Sequence, residues 1–144
     1  MSKIFSWMAV LLVMFLIFNL SSQTAEHSNE LSTRITELIV KTAEKIVTGT
    51  RFDRENINNR LRKNAHFFSY LLLGVFVYNA LQQSGLRGRR CFILALGICV
   101  LYAITDEVHQ LYVPGRGGQV RDVLIDSAGA CVGVGLYQVL GKKM

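Results

Sequence analysis

Four apolar runs constrain the fold of this 144-residue chain more than any other feature. They cover residues 4–20, 65–81, 91–105 and 123–141 and contain almost no charged side chains. Once the third is extended through its polar end, each run has about the 17–25 residues that a helix needs to cross a bilayer. The core of a soluble domain would explain one such run, but not four in so short a chain. The sequence therefore predicts an integral membrane protein.

The predicted fold is all-α, a bundle of four transmembrane helices in a single domain over residues 1–144. We place the spans at about 4–22, 65–82, 91–112 and 122–140, and we interpret the first as an uncleaved span. Between the first two spans, apolar residues recur at helical spacing among charged ones, at Leu31, Ile35, Leu38 and Ile39. This pattern predicts an amphipathic helix over about 28–48, which either lies on the membrane surface or docks on the bundle.

The composition agrees with a membrane protein. Charged residues make up 18% of the chain, against roughly 25% in soluble domains. The net charge of +6 does not indicate nucleic-acid binding, because the basic residues flank the apolar runs, where they anchor to lipid headgroups. Cys91, Cys99 and Cys131 all lie within spans, and their odd number and their spacing predict packing residues instead of a disulfide framework.

Polar side chains collect where three predicted spans reach the same membrane boundary. One group opens the second span, one closes the third and one opens the fourth. Ionisable groups in a membrane span are costly, so they mark a functional site by default. The predicted ligand-binding residues on the spans are His66, Tyr70, Asp106, Glu107, Gln110, Asp122 and Asp126.

The turn between the last two spans, residues 113–118, is the second part of the predicted site. Pro114 and Gly115 favour a type II turn, in which glycine takes the positive φ. Arg116 offers a planar fork for phosphate or carboxylate, and Arg121 is the second candidate for binding an anion. An ordinary turn in which Arg116 pairs with a neighbouring carboxylate is an equal alternative.

The residue types leave three chemistries open. Carboxylates and a histidine near one another could hold a divalent cation. A histidine beside a carboxylate could act as general acid and base, and arginines with acids could form an ion-pair network that only stabilises the bundle. The candidate catalytic residues are His66, Asp106, Glu107 and Asp122.

In their order and spacing these residues resemble the VanZ-like membrane proteins. The shared pattern consists of Arg62, Ala65, His66, Phe67 and Tyr70; Asp106, Glu107 and Gln110; Pro114, Gly115 and Arg116; and Asp122, Asp126, Gly129 and Gly133. The resemblance covers nearly the whole chain and is weakest over residues 24–59. It implies four helical spans, a place in the bacterial cell envelope and a link to glycopeptide resistance of the teicoplanin type. Asp126 departs from the family pattern, where asparagine is more usual, and its extra charge favours a bound cation.

We therefore expect a protein of the bacterial cytoplasmic membrane that binds an anionic lipid-linked or glycopeptide-related ligand at the outer face and contributes to teicoplanin resistance. One alternative is a membrane-embedded hydrolase or transferase, metal-assisted or acid–base, that acts on a lipid headgroup. The other is a structural partner protein with no ligand.

Two further expectations concern orientation and assembly. Lys3 and the cation-dense turn over 82–90 place both termini in the cytoplasm, although the opposite side carries more Lys and Arg in total. Gly129 and Gly133 have the spacing that lets two helix backbones approach closely, which favours packing within the chain, with a homodimer as the alternative.

Overall fold

The computed structural model describes residues 3–46 and 54–141. These residues form the helices α1 (Lys3–Ser22), α2 (Ala25–Ile46), α3 (Arg54–Gln83), α4 (Gly88–Gln110) and α5 (Val120–Gly141), with no strand in the described ranges. Four segments are long and apolar enough to cross a membrane: α1, α4, the stretch of α5 up to Leu140 and the part of α3 from Arg60 to Gln83. The predicted all-α fold with four spans is confirmed, and the chain is a multi-pass membrane protein.

The long helix α3 is the centre of the bundle, because it packs against each of the other four helices. It begins at Arg54, well before the predicted span at 65–82. The extra turns carry polar residues such as Arg60 and Asn64, which suit a helix but not lipid, so hydropathy marks only the apolar part. The predicted end of the amphipathic helix near 48 lies outside the described residues.

The bundle core combines large side chains of α3 with small ones of α4. Tyr70, Leu73, Val77 and Tyr78 are buried on α3, and they face a row of Ala95, Cys99 and Ala103 on α4. All three cysteines are free, and Cys91 is buried like Cys99, as predicted for packing residues. Cys131 is exposed, so the prediction that it packs in the core is wrong.

The glycine pair of α5 brings α5 into direct contact with the backbone of α3. A β-carbon at Gly129 would clash with the carbonyl oxygen of Phe67, and one at Gly133 would clash with that of Leu71. Two helices approach this closely only where the contact residues are small. The pair is therefore used within the chain, as expected, and a homodimer would need a different face.

The amphipathic helix α2 buries a different face from the one that its apolar stripe suggests. Ser32, Thr36 and Val40 are buried, whereas the stripe is exposed, up to 70% for Leu38. α2 packs on α3, and Leu38 and Ile39 of the stripe lie on the outer face, where lipid would cover them. Leu31 and Ile35 are partly exposed but also line a cavity against α1 and α3. Apolar periodicity alone could not make this distinction, because lipid and a protein core favour the same residues.

Candidate functional site

Three ionisable side chains from three helices meet at one end of the bundle. His66 comes from α3, Asp106 from the end of α4 and Asp126 from the second turn of α5. One ligand atom from each lies within 4.8 Å of the other two, and His66 Nδ1 is 3.7 Å from Asp126 Oδ1. Asp106 and Asp126 are only 3% and 1% exposed. The convergence expected from the sequence is therefore present, while the function of these residues stays a prediction.

Several oxygens in this cluster have no hydrogen-bond partner among the described residues. They are both carboxylate oxygens of Asp126, Asp106 Oδ1 and the hydroxyl oxygen of the fully buried Tyr70. More than nine in ten buried polar groups in proteins have a partner, so each exception calls for a cause. The carboxylates of Asp106 and Asp126 meet at His66, and Tyr70 interacts with both of them.

The other oxygen of Asp106 is held by α1. Ser21 Oγ donates to Asp106 Oδ2 at 2.8 Å, and Gln110 Nε2 donates to Ser21 Oγ at 3.4 Å. This chain of hydrogen bonds leaves only Oδ1 of the Asp106 carboxylate without a partner. Ser21 is not among the predicted site residues, although it lies at the polar end of the first span, a stretch that also resembles the VanZ-like proteins.

The turn after α4 presents Arg116 to the same end of the bundle. Gly115 has a φ of 75°, and the backbone N–H of Arg116 donates to Val113 O at 3.1 Å, as the predicted Pro-Gly turn requires. The guanidinium is half-buried and forms no ion pair with a carboxylate of the described residues, and its Nε has no hydrogen-bond partner. The alternative in which Arg116 pairs with Asp122 or Glu107 is therefore not what the structure shows.

The charge of Arg116 is retained in this position. Burial lowers the pKa of its guanidinium and the nearby Arg62 lowers it further, while Asp106 and Glu107 act in the opposite direction. Since arginine ionises at so high a pH, it stays protonated in proteins. Two positive groups thus lie near each other, which favours an anion between them.

Two cavities adjoin the cluster and share one wall. The first, of about 130 Å³, lies between α1, α2 and α3, and residues such as Ile17, Leu20, Leu31, Ile35 and Leu61 make it largely apolar. The second, of about 40 Å³, is bounded by Lys63, Gln110, Asp122, Ile125 and Asp126. Arg62, His66 and Arg116 line both cavities, and we call these three residues the basic wall.

The structure and the predicted site disagree on two arginines, Arg62 and Arg121. Arg62 is not among the predicted site residues, although it belongs to the pattern shared with the VanZ-like proteins. It is half-buried, and its Nη1 donates to Asn29 Oδ1 of α2 at 3.3 Å. Arg121 is exposed and lines neither cavity, so its role stays a prediction. Asp122 does line the second cavity, with a buried and unpartnered Oδ1.

Glu107 is buried but faces the following turn instead of the cavities. Its Oε1 accepts a hydrogen bond from the backbone N–H of Gln119 at 2.6 Å, directly before α5 begins. A carboxylate there also suits the positive end of the helix dipole. Glu107 thus links α4 to the residue that precedes α5. Its catalytic or ligand-binding role stays a prediction.

The second histidine near this boundary is separate from the cluster. His109 Nε2 lies 3.1 Å from Ser22 Oγ, and its ring packs on Phe18 with centroids 4.6 Å apart.

Together these features define a class of protein: a multi-pass helical membrane protein with a buried ionisable site at one end of its bundle. The sequence matches the VanZ/LLP1 family over residues 5–141, and the chain belongs to that family. No curated protein and no solved structure matches the chain significantly.

Proposed function

We propose that the protein binds an amphiphilic anion of the bacterial cell envelope, such as a lipid-linked phosphate or a related anionic compound. The head group would lie against the basic wall, and the chain would enter the apolar cavity between α1, α2 and α3. The observation that carries this proposal is that Arg62 and Arg116 line both the apolar cavity and the polar one, while Arg116 pairs with no carboxylate in the part of the chain that the structure describes.

The energetics of the two arginines support an anionic ligand. A half-buried guanidinium without a partner is unfavourable, and a second one nearby adds repulsion. A phosphate or carboxylate would accept bidentate hydrogen bonds from the planar fork and relieve both effects. An apolar cavity beside such a wall favours a ligand with a chain over a free anion of the same head group.

The position of the site in the membrane fits a ligand at headgroup level. The site lies where α1 and α4 end and α5 begins, so it is near a membrane boundary. If both termini are cytoplasmic, as we propose, this boundary is the outer face of the cytoplasmic membrane. Because the VanZ-like resemblance implies a link to glycopeptide resistance, we propose that ligand binding here contributes to teicoplanin resistance.

A binding experiment tests the proposal directly. The full-length protein in detergent would be mixed with phosphatidylglycerol, a polyprenyl phosphate or phosphatidylcholine, and native mass spectrometry would count the bound lipids. We expect the two anionic lipids to bind and phosphatidylcholine not to bind. Arg116→Ala should weaken anionic lipid binding by about tenfold or more, because hydrogen bonds to charged groups contribute roughly 1.5–3 kcal/mol.

Arg121→Ala is the matched control, since it removes the same charge from the same end of the bundle but from outside both cavities. Equal binding of all three lipids, or equal losses in the two variants, would contradict the proposal. For resistance, the wild-type protein in a susceptible bacterium should raise the inhibitory concentration of teicoplanin, and Arg116→Ala should not at equal protein levels.

A second candidate function is hydrolysis or transfer at a lipid headgroup, favoured by the 3.7 Å approach of His66 Nδ1 to Asp126 Oδ1 beside the cavities. Histidine and carboxylate side chains are common general acids and bases in enzymes. This function predicts release of phosphate or head group from phosphatidic acid or a polyprenyl phosphate, lost in His66→Gln. A purely structural role predicts instead that Arg116→Ala and His66→Gln abolish accumulation of the protein.

A further inference from the structure

We propose that His66, Asp106 and Asp126 form a binding site for a divalent transition-metal ion inside the membrane bundle. The proposal rests on the geometry and burial of these three side chains, and it does not depend on the anionic ligand proposed above. Three helices, α3, α4 and α5, each supply one ligand.

The distances suit a metal ion after a small adjustment. Zn²⁺ bonded at about 2.0–2.2 Å holds tetrahedral ligand atoms roughly 3.4 Å apart. His66 Nδ1 and Asp126 Oδ1 are already 3.7 Å apart, and all three ligand atoms lie within 4.8 Å of one another. A rotation of the carboxylates inward brings the three atoms to bonding distance of a common centre.

The second, independent observation is the set of buried oxygens without hydrogen-bond partners. Asp126 is 1% exposed, and neither of its carboxylate oxygens has a hydrogen-bond partner among the described residues. Asp106 is 3% exposed, and its Oδ1 also has none there. Protein donors usually satisfy buried carboxylates or a metal binds them. Two carboxylates in contact with one imidazole at this depth form a donor set of net charge −2 that a divalent cation neutralises.

The surrounding hydrogen bonds would orient the ligands. Ser21 Oγ donates to Asp106 Oδ2, and Gln110 Nε2 donates to Ser21 Oγ. Asp106 Oδ1 is left without a hydrogen-bond partner among the described residues. Such outer partners are a regular part of metal sites, where they hold ligand orientation and basicity. Tyr70, one helical turn after His66, is fully buried, and its hydroxyl lies close to Asp106, where it would help to orient that carboxylate.

The ligand types select the class of ion. One imidazole with two carboxylates is a borderline set that suits Zn²⁺, Mn²⁺ or Fe²⁺, whereas Mg²⁺ and Ca²⁺ prefer oxygen ligands alone. Three protein ligands leave at least one coordination position open. Since His66 and Asp126 line the second cavity, that position would face the cavity and could accept an anionic oxygen.

The test uses the full-length protein purified in detergent. After treatment with a chelator and removal of the chelator, the protein would be titrated with ZnCl₂, MnCl₂ or MgCl₂. Bound metal would be measured by mass spectrometry of the elements after gel filtration. We expect one Zn²⁺ or Mn²⁺ per chain, no retained Mg²⁺, and a rise in the midpoint of thermal unfolding with Zn²⁺ that saturates, because an ion that binds only the folded state stabilises it.

Asp126→Asn and His66→Gln should each lose the stoichiometric metal and the thermal shift. His109→Gln should keep both, because His109 lies at the same boundary but contacts Ser22 and Phe18 instead of the cluster. If a variant does not fold, X-ray absorption at the zinc edge of the wild-type protein takes the place of that variant. We expect a spectrum of zinc bound by one imidazole and by oxygen ligands.

A wild-type protein that retains no metal and shows no thermal shift with Zn²⁺ or Mn²⁺ would overturn the proposal, as would metal that persists in both cluster variants. A wild-type protein without metal would indicate that the two carboxylates share a proton instead. Metal binding and lipid binding are measured separately, so failure of this proposal would leave the binding of anionic lipid by Arg116 intact, and the reverse also holds.

Discussion

Gly133 of α5 lies directly against the carbonyl oxygen of Leu71 of α3, with no room for a β-carbon between them. This contact determines how closely the two helices approach, and α3 and α5 carry two of the three clustered ionisable residues. The distance between His66 and Asp126 therefore depends on a glycine two turns away from the site.

Gly133→Ala should destabilise the protein, because the new methyl group forces α5 away from α3. Overpacking of this kind costs typically about 1–3 kcal/mol, and the thermal unfolding midpoint of the purified protein in detergent should fall accordingly. Gly135→Ala is the matched control on the same helix, since nothing lies within 4 Å of a β-carbon there. Equal behaviour of the two variants would contradict the close packing of α3 and α5.

Ser21→Ala should destabilise the cluster end of the bundle. It removes the 2.8 Å hydrogen bond to Asp106 Oδ2 and leaves a buried acceptor without a partner, at a cost of about 1–3 kcal/mol. Thermal unfolding is again the measurement. Ser22→Ala is the comparison, because Ser22 is only half-buried. Its Oγ donates to the carbonyl of Phe18 and lies 3.1 Å from His109 Nε2, and both contacts are outside the cluster. A smaller loss in Ser21→Ala than in Ser22→Ala would contradict the role given to Ser21.

Gly115→Ala should weaken the binding of anionic lipid without removing any charge. At a φ of 75° a side chain with a β-carbon costs about 1–2 kcal/mol, so the turn would relax and displace Arg116. The affinity for phosphatidylglycerol, measured by native mass spectrometry, should fall, but less than in Arg116→Ala.

Gly117→Ala is the control for the turn, since Gly117 has open space around it and no positive φ. Unchanged lipid affinity in Gly115→Ala would mean that the turn geometry does not position Arg116.

Complementary reporters on the full-length chain test the proposed orientation. A green fluorescent protein fused after Met144 should fluoresce, because it folds in the cytoplasm, whereas alkaline phosphatase at the same position should be inactive. The opposite pair of results would place the site at the cytoplasmic face, and the ligand would then be a lipid of the inner leaflet.

The number and type of the spans could be predicted from the sequence because lipid imposes a simple rule: a segment that crosses it must be long, helical and nearly free of charge. The same rule makes the ionisable residues at the span ends stand out. His66, Asp106 and Asp126 therefore belong to the larger set of residues that the order of the chain predicts at one boundary, and the Pro114–Gly115 turn follows from backbone preferences.

The sequence by itself thus determined the four spans and the end of the bundle that carries the polar residues. Only the tertiary structure decided which of those residues meet. It brought Ser21 and Arg62 into the site, left Arg121 exposed, turned Glu107 towards Gln119 and divided the apolar stripe of α2 between the outer face and the apolar cavity. The physical reason is that these outcomes depend on the rotation of each helix about its axis, which is set by contacts between helices such as Gly133 on Leu71. Hydropathy along a single helix carries no information about those contacts.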